Sequence, residues 1–418
     1  MDALRGHGAD YVEIHVEEEE ATAISYRGRA LEDIGKAINK VGNVRALVKG
    51  GWGFVSFNEL NGLKDKVSLA VCQARLVGQG KSELAAVEPV ITVAPLDVVK
   101  DPRSISVTDK NRLLEEYNSI IWSQGPKIQT SIIRYRDVGR KMYYANSEGS
   151  YIEQERLDIS AVFVAVAREG DNVQQAFVSL GSNRDYGIVE GIHARIEDAA
   201  RRAVALLAAK PVRGGTYTVI ADPQLAGLFA HEAFGHLSES DFVYENPRLR
   251  EVMVLGKRFG GDHLSIVDGA AVPGLRGSYL YDDEGVPATR TYLIKDGILV
   301  GRLHSRETAA KMGEPPSGNA RAVNYRFPPI VRMTNTYIEP RGVSFADMIS
   351  DIKEGIYARY SFGGETSMEM FTFAAGEAYM IRNGQIAEPV RGVNLTGNVF
   401  QTLMSIEAIG DDLRFQQG

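Results

Sequence analysis

His231-Glu232-Ala233-Phe234-Gly235-His236 sets two imidazoles on either side of a carboxylate. It is the stretch of the chain whose residue types read as a metal site carrying its own base. Imidazole nitrogens bind Zn²⁺, and a carboxylate beside the ion can take a proton from water. The HExxH type of zinc helix places its histidines four apart, on one face. Here they are five apart, roughly 140° on a regular helix, with Glu232 about 100° from His231. Both rings reach one ion only if the helix bulges or unwinds by a residue, and Gly235 is where it can do so. With seven histidines in 418 residues, incidental histidines on an ordinary helix are the weaker reading.

Positioning these groups falls to a helix with a clean start. Asp222 can cap its free amides, and Pro223 fits the first turn without needing a donor. Leu225, Leu228 and Phe229 then make the apolar stripe that anchors it. A short strand, Thr216 to Ile220, leads into this helix.

A chain of this length exceeds what one core usually organises, so two domains are expected. Lys210-Pro211 and Gly214-Gly215 mark the boundary, giving an N-terminal domain 1–212 and a C-terminal domain 213–418. The net charge of −7 argues against nucleic-acid binding, because no basic surplus exists to displace counterions. A single cysteine, Cys72, excludes an internal disulfide framework and fits a reducing compartment. No apolar run reaches membrane-spanning length, and the N-terminus lacks the features of a signal peptide. These features read as a cytoplasmic protein.

The first domain reads as mixed α/β. Tyr11 to Val16 and Ala21 to Tyr26 alternate as strands on either side of an acidic break, and Arg45 to Lys49 with Trp52 to Ser56 forms a hairpin at Gly50-Gly51. Helices follow through Leu60 to Ala74, from about Thr108, and over about Val189 to Ala209. Strands fill Ile128 to Leu180, with breaks expected at Asp137-Val138-Gly139, Ser147-Glu148-Gly149 and Glu169-Gly170-Asp171. The second domain reads as β-rich and barrel-like. Its hairpins turn at Lys295-Asp296-Gly297 and Arg382-Asn383-Gly384, and a final helix runs over about Val399 to Ile409. The fold class is α+β.

Other motifs have plainer readings. Asp282-Asp283-Glu284 could hold a divalent cation through oxygen ligands, but an acidic turn is more often solvated. His304 beside Ser305 has no third group to make a triad. Arg306 and Arg321 could clamp a peptide carboxylate or carbonyl, with salt bridging equally open. His193 has no partner at ligand spacing, and Cys72 has no activating neighbour.

His231–His236, Asp282-Asp283-Glu284-Gly285-Val286-Pro287, Ser305-Arg306-Glu307-Thr308-Ala309-Ala310, Ser317-Gly318-Asn319-Ala320-Arg321-Ala322, Arg332-Met333-Thr334-Asn335-Thr336 and Pro389-Val390-Arg391-Gly392 occur in this order. Together they resemble the TldD-type, catalytic branch of the TldD/PmbA family of metalloproteases, once labelled modulators of DNA gyrase. The resemblance implies zinc held by His231 and His236, with Glu232 as general base, acting on peptide or unfolded-protein substrates. It also implies a site inside a cavity and a dimer, formed with itself or with a PmbA-type paralogue. In the family a cysteine completes the metal site, just beyond the segment that here reads Gly410 to Gly418. Two readings of the third ligand stand: the chain stops short of that cysteine, or Glu239, Asp241 or Glu245 serves instead. A non-hydrolytic regulatory protein is the alternative function, and the intact Glu232 argues against it.

Overall fold

Tyr11–Arg27 is one long strand, with buried and open positions alternating over Ala21–Tyr26 and a half-buried run at Val16–Ala21, in a computed structural model that describes residues 4, 8–78, 80, 82–367 and 369–416. The acidic break expected at Glu17–Glu20 is absent. Glu18 and Glu20 meet Lys40 and Lys36 across the neighbouring strand, and Glu19 meets Arg140, so the carboxylates stay in the ladder. Strand order in this seven-stranded sheet is Gly51–Phe57, Ala30–Val48, Tyr11–Arg27, Ile128–Asn146 and Tyr151–Glu169, with Ile91–Ala94 and Asn172–Ser182 both on the last. Lys49 and Gly50 take positive φ in the two-residue turn between Val48 and Gly51, as the hairpin reading requires.

Asp137-Val138-Gly139 does not break its strand either, because Ile128–Asn146 is continuous. The buried Asp137 carboxylate is held by Lys110 at 2.6 Å and by the Tyr135 hydroxyl at 2.6 Å, so it needs no water. The other two breaks are turns. Helix Leu63–Val77 covers one end of the sheet through Val67, Ala70, Val71 and Ala74, while Val107–Ser123 and His193–Leu206 cover the other. Cys72 is exposed on the first of these helices. His193 is a surface residue, 2.8 Å from Glu116.

The chain from residue 210 onward builds three smaller sheets around a main apolar core that includes Phe234, Met333, Phe371 and Phe373, with a small second cluster at Ile220, Ile349 and Ile381. The largest runs Lys210–Pro211, Gln385–Arg391, Met370–Arg382, Glu354–Ser367 and Thr218–Ala221, with Asn394–Asn398 branching from the middle. Its end strands do not pair with each other, so the sheet stays open: the α+β, β-rich reading holds, and barrel-like fits only loosely, without closure. Both glycine hairpins are present, with positive φ at Asp296-Gly297 and Asn383-Gly384. The last helix is shorter than expected, Val399–Met404, and Ser405 at its end donates its hydroxyl to the Gln401 carbonyl.

Buried polar contacts weld the N-terminal sheet to the rest. Arg45 Nε donates to Glu13 at 2.6 Å and its Nη2 to Glu284 at 2.7 Å, with all three side chains out of water. Arg306 is fully buried and bidentate on Glu148. The Asp282-Asp283-Glu284 turn is therefore not solvated. Asp282 accepts from Ala320 N at 3.0 Å, Asp283 from Ala322 N at 2.8 Å and Glu284 from Arg306 N at 2.7 Å. It is a backbone clamp, because each carboxylate accepts at least one amide brought from elsewhere in the chain.

Candidate metal centre

Asp222 caps the helix Pro223–Phe229, with Oδ1 accepting from Leu225 N at 2.9 Å. Its other oxygen accepts from Tyr360 N at 3.1 Å, which ties the helix start to the neighbouring strand. Leu225, Ala230, Ala233 and Phe234 are buried, so the inner face of the helix is fixed by packing. From Ala230 to Gly235 the helix widens into a π turn, and the amide of His236 donates to the His231 carbonyl. That i→i+5 closure lifts residue five onto the same side as residue zero. Gly235 itself keeps ordinary helical dihedrals, so the turn does not draw on its backbone freedom; its missing Cβ makes room for Met333 Sδ, which packs against the turn.

The π turn brings the three predicted residues together. The rings of His231 and His236 lie 5.1 Å apart, nearly perpendicular, and one ligand atom each from His231, Glu232 and His236 falls within 4.8 Å of the others. Two ring nitrogens are donors that zinc takes, and the Glu232 carboxylate stands beside them where a base is needed, so the residues fit the ion. Burial lowers the His231 pKa to about 4, helped by His236, and this keeps its ring neutral with a lone pair to offer. Burial also raises the Glu232 pKa. The hydrogen bond to Glu239 raises that of His236.

Glu239 is the residue whose part the sequence obscured. It has no exposed surface and lies 3.1 Å from His236 Nδ1, leaving Nε2 on the side of Glu232, at 3.8 Å. Its carboxylate also meets Arg332 at 3.2 Å and Met333 N at 3.3 Å. Asp241 accepts from Val331 N at 2.7 Å, and Glu245 is exposed. Among the described residues none of these three carboxylates joins the His231, Glu232, His236 group.

His231 and Glu232 line a cavity of about 2,820 Å³ whose wall comes from both halves of the chain, including Glu17, Arg156, Tyr279 and Arg321. That volume exceeds the roughly 300–1,000 Å³ of ordinary small-molecule pockets. Arg321 stands on the short strand Ala320–Arg321, between the amides that Asp282 and Asp283 hold, and lines the cavity. His304 is buried away from it, between Ser240, Thr308 and Glu314.

Three family domains match in sequence order: PmbA/TldA metallopeptidase domain 1 over residues 12–74, the central domain over 100–207 and the C-terminal domain over 214–418. A metalloprotease of Synechocystis sp. is 50% identical over 411 residues, 98% of this chain and 89% of that protein. A zinc metalloprotease TldD homolog of Saccharolobus solfataricus is 31% identical over 384 residues, 90% of this chain and 83% of its own length. Two solved structures share the fold. A Thermotoga maritima protein described as a modulator of a DNA gyrase superposes with TM-score 0.80 at 21% identity, covering 96% of this chain and 91% of that one. TldE from Thermococcus kodakarensis gives TM-score 0.79 at 17% identity, with 98% and 94% covered. The matches extend from the first long strand to the last helix and beyond, and on their strength the chain belongs to the PmbA/TldD family of metallopeptidases.

Proposed function

We propose that the chain is a zinc-dependent peptidase acting on peptides or unfolded polypeptides, with His231 and His236 as zinc ligands and Glu232 as general base. One observation carries this reading: the π turn that gathers two imidazoles and one carboxylate at the wall of a peptide-sized cavity. Zinc supplies Lewis acidity there, polarising a carbonyl and acidifying water. Glu232 takes the water proton on its carboxylate and delivers it to the leaving amine, a task its raised pKa suits. Glu239 holds the His236 ring by Nδ1, as carboxylates behind ligand histidines do. Arg321 faces the cavity as a cation for a peptide carbonyl or C-terminal carboxylate.

The third protein ligand is, on this reading, the cysteine that the family resemblance implies, since Glu239 and Asp241 are committed to hydrogen bonds and Glu245 is exposed. The cavity then lies between an N-terminal domain, 1–212, and a C-terminal domain, 213–418. We place the protein in the cytoplasm, as a dimer with itself or with a PmbA-type paralogue; among the described residues no helix is long and apolar enough to cross a membrane.

Glu232→Gln is the test. It should keep the fold and zinc content of the parent while hydrolysis of an unstructured peptide falls by about 10²–10⁴. Parent-like hydrolysis by this variant would remove Glu232 from the chemistry.

A further inference from the structure

Strand Ala30–Val48 is half covered and half bare. Gly51–Phe57 pairs only with its residues 42–48, and among the described residues nothing pairs with 30–41 on that side. Every side chain from Ala30 to Lys40 is exposed, including Leu31, Ile34 and Ile38, the last at 71%. A strand open along its edge and on both faces is a template for another strand. Charged side chains usually guard such an edge, but here they turn inward. Glu32 reaches Arg27 at 2.6 Å, Lys36 reaches Glu20 at 2.6 Å and Lys40 reaches Glu18 at 2.9 Å, all on the adjacent strand.

A row of the buried core also runs out at this edge. Tyr135 and Ile24 are cross-strand neighbours and buried, Ile34 lies next in the same row, and it is 41% exposed. We infer that residues 30–38 pair antiparallel with the same residues of a second copy of this chain, about a two-fold axis at Ile34. The register follows from charge. Centred on Ile34, Glu32, the bulged residue between Leu31 and Asp33, comes opposite the partner's Lys36, Lys36 opposite the partner's Glu32, and Ile34 continues the apolar row into the partner's Ile34. Centring on Asp33 or Lys36 would set like charges face to face, which destabilises a strand pair. A contact of this kind is isologous and closes at two copies. Asn39 and Val41, at the end of the bare segment, line the cavity, so the second copy would sit at its rim.

This inference rests on the dimer reading above and locates it, independently of the peptidase chemistry. Light scattering should give the wild-type chain a dimer mass at micromolar concentration. Ile34→Lys should raise the dimer dissociation constant at least about tenfold. In a Cys72→Ser background, Ile34→Cys should form a reducible covalent dimer under mild oxidant, because directly opposed residues lie about 4.5–5.5 Å apart at Cβ. Cys72→Ser alone should form none. A dimer that ignores Ile34→Lys, or that does not crosslink through Ile34→Cys, overturns the location while leaving the dimer standing. A wild-type monomer overturns the location and the homodimer together, leaving only the pairing with a paralogue.

Discussion

Glu239 Oε2 lies 3.1 Å from Nδ1 of His236, and this contact between a fully buried carboxylate and a half-exposed ring fixes which nitrogen of the histidine faces Glu232. The carboxylate is held in turn by Arg332 and by the amide of Met333, so the ring is oriented from a rigid base. Glu239→Gln removes the charge behind the ring while keeping its size. Zinc affinity, measured by competition against a chromophoric chelator, should fall by about 10–100-fold. An unchanged affinity would show that His236 is oriented by packing alone.

Met333 packs against the π turn at Gly235. A methyl group there meets Met333 Sδ, so Gly235→Ala should cost about 1–3 kcal/mol in urea denaturation and weaken zinc binding in the same protein. Gly227 lies in the preceding turns, where a Cβ would meet open space, and Gly227→Ala should be neutral or gain up to about 1 kcal/mol. Equal effects at the two glycines would dissociate the turn from the metal site.

Arg306 and Arg321 looked equivalent in sequence and differ in the structure. Arg306 is buried on Glu148, whereas Arg321 lines the cavity beside the metal group. Arg321→Gln should lower kcat/KM for peptide while leaving thermal stability and zinc content within error. A stability loss matching the activity loss would make Arg321 structural.

Breaking the weld between the halves should be expensive. Glu284→Gln leaves Arg45 with one carboxylate in place of two, and Arg45→Ala leaves Glu13 and Glu284 without their shared cation. Removing one member of a buried ion cluster costs about 3–5 kcal/mol, so Arg45→Ala should shift the denaturation midpoint strongly. A shift near zero would mean water replaces the guanidinium.

Much of the site is local and therefore written in the sequence. Five-residue spacing between His231 and His236, with Gly235 before the second, can put both rings on one ion only through a widened turn, and the helix makes that turn. Asp222-Pro223 starts it because capping needs only neighbouring atoms. The hairpins at Asp296-Gly297 and Asn383-Gly384 follow from the positive φ their turns demand. What the tertiary structure alone decided concerns carboxylates whose partners are remote in sequence. Glu17–Glu20 and Asp137 look like strand breakers until Lys36, Lys40, Arg140 and Lys110 arrive across the sheet or from a helix. Asp282-Asp283-Glu284 reads as a solvated turn until the amides of Ala320, Ala322 and Arg306 reach it. Glu239 reads as a possible ligand until Arg332 and Met333 claim its oxygens. A charged side chain is buried or bared according to the donors that surround it, and those donors meet only when the whole chain has folded.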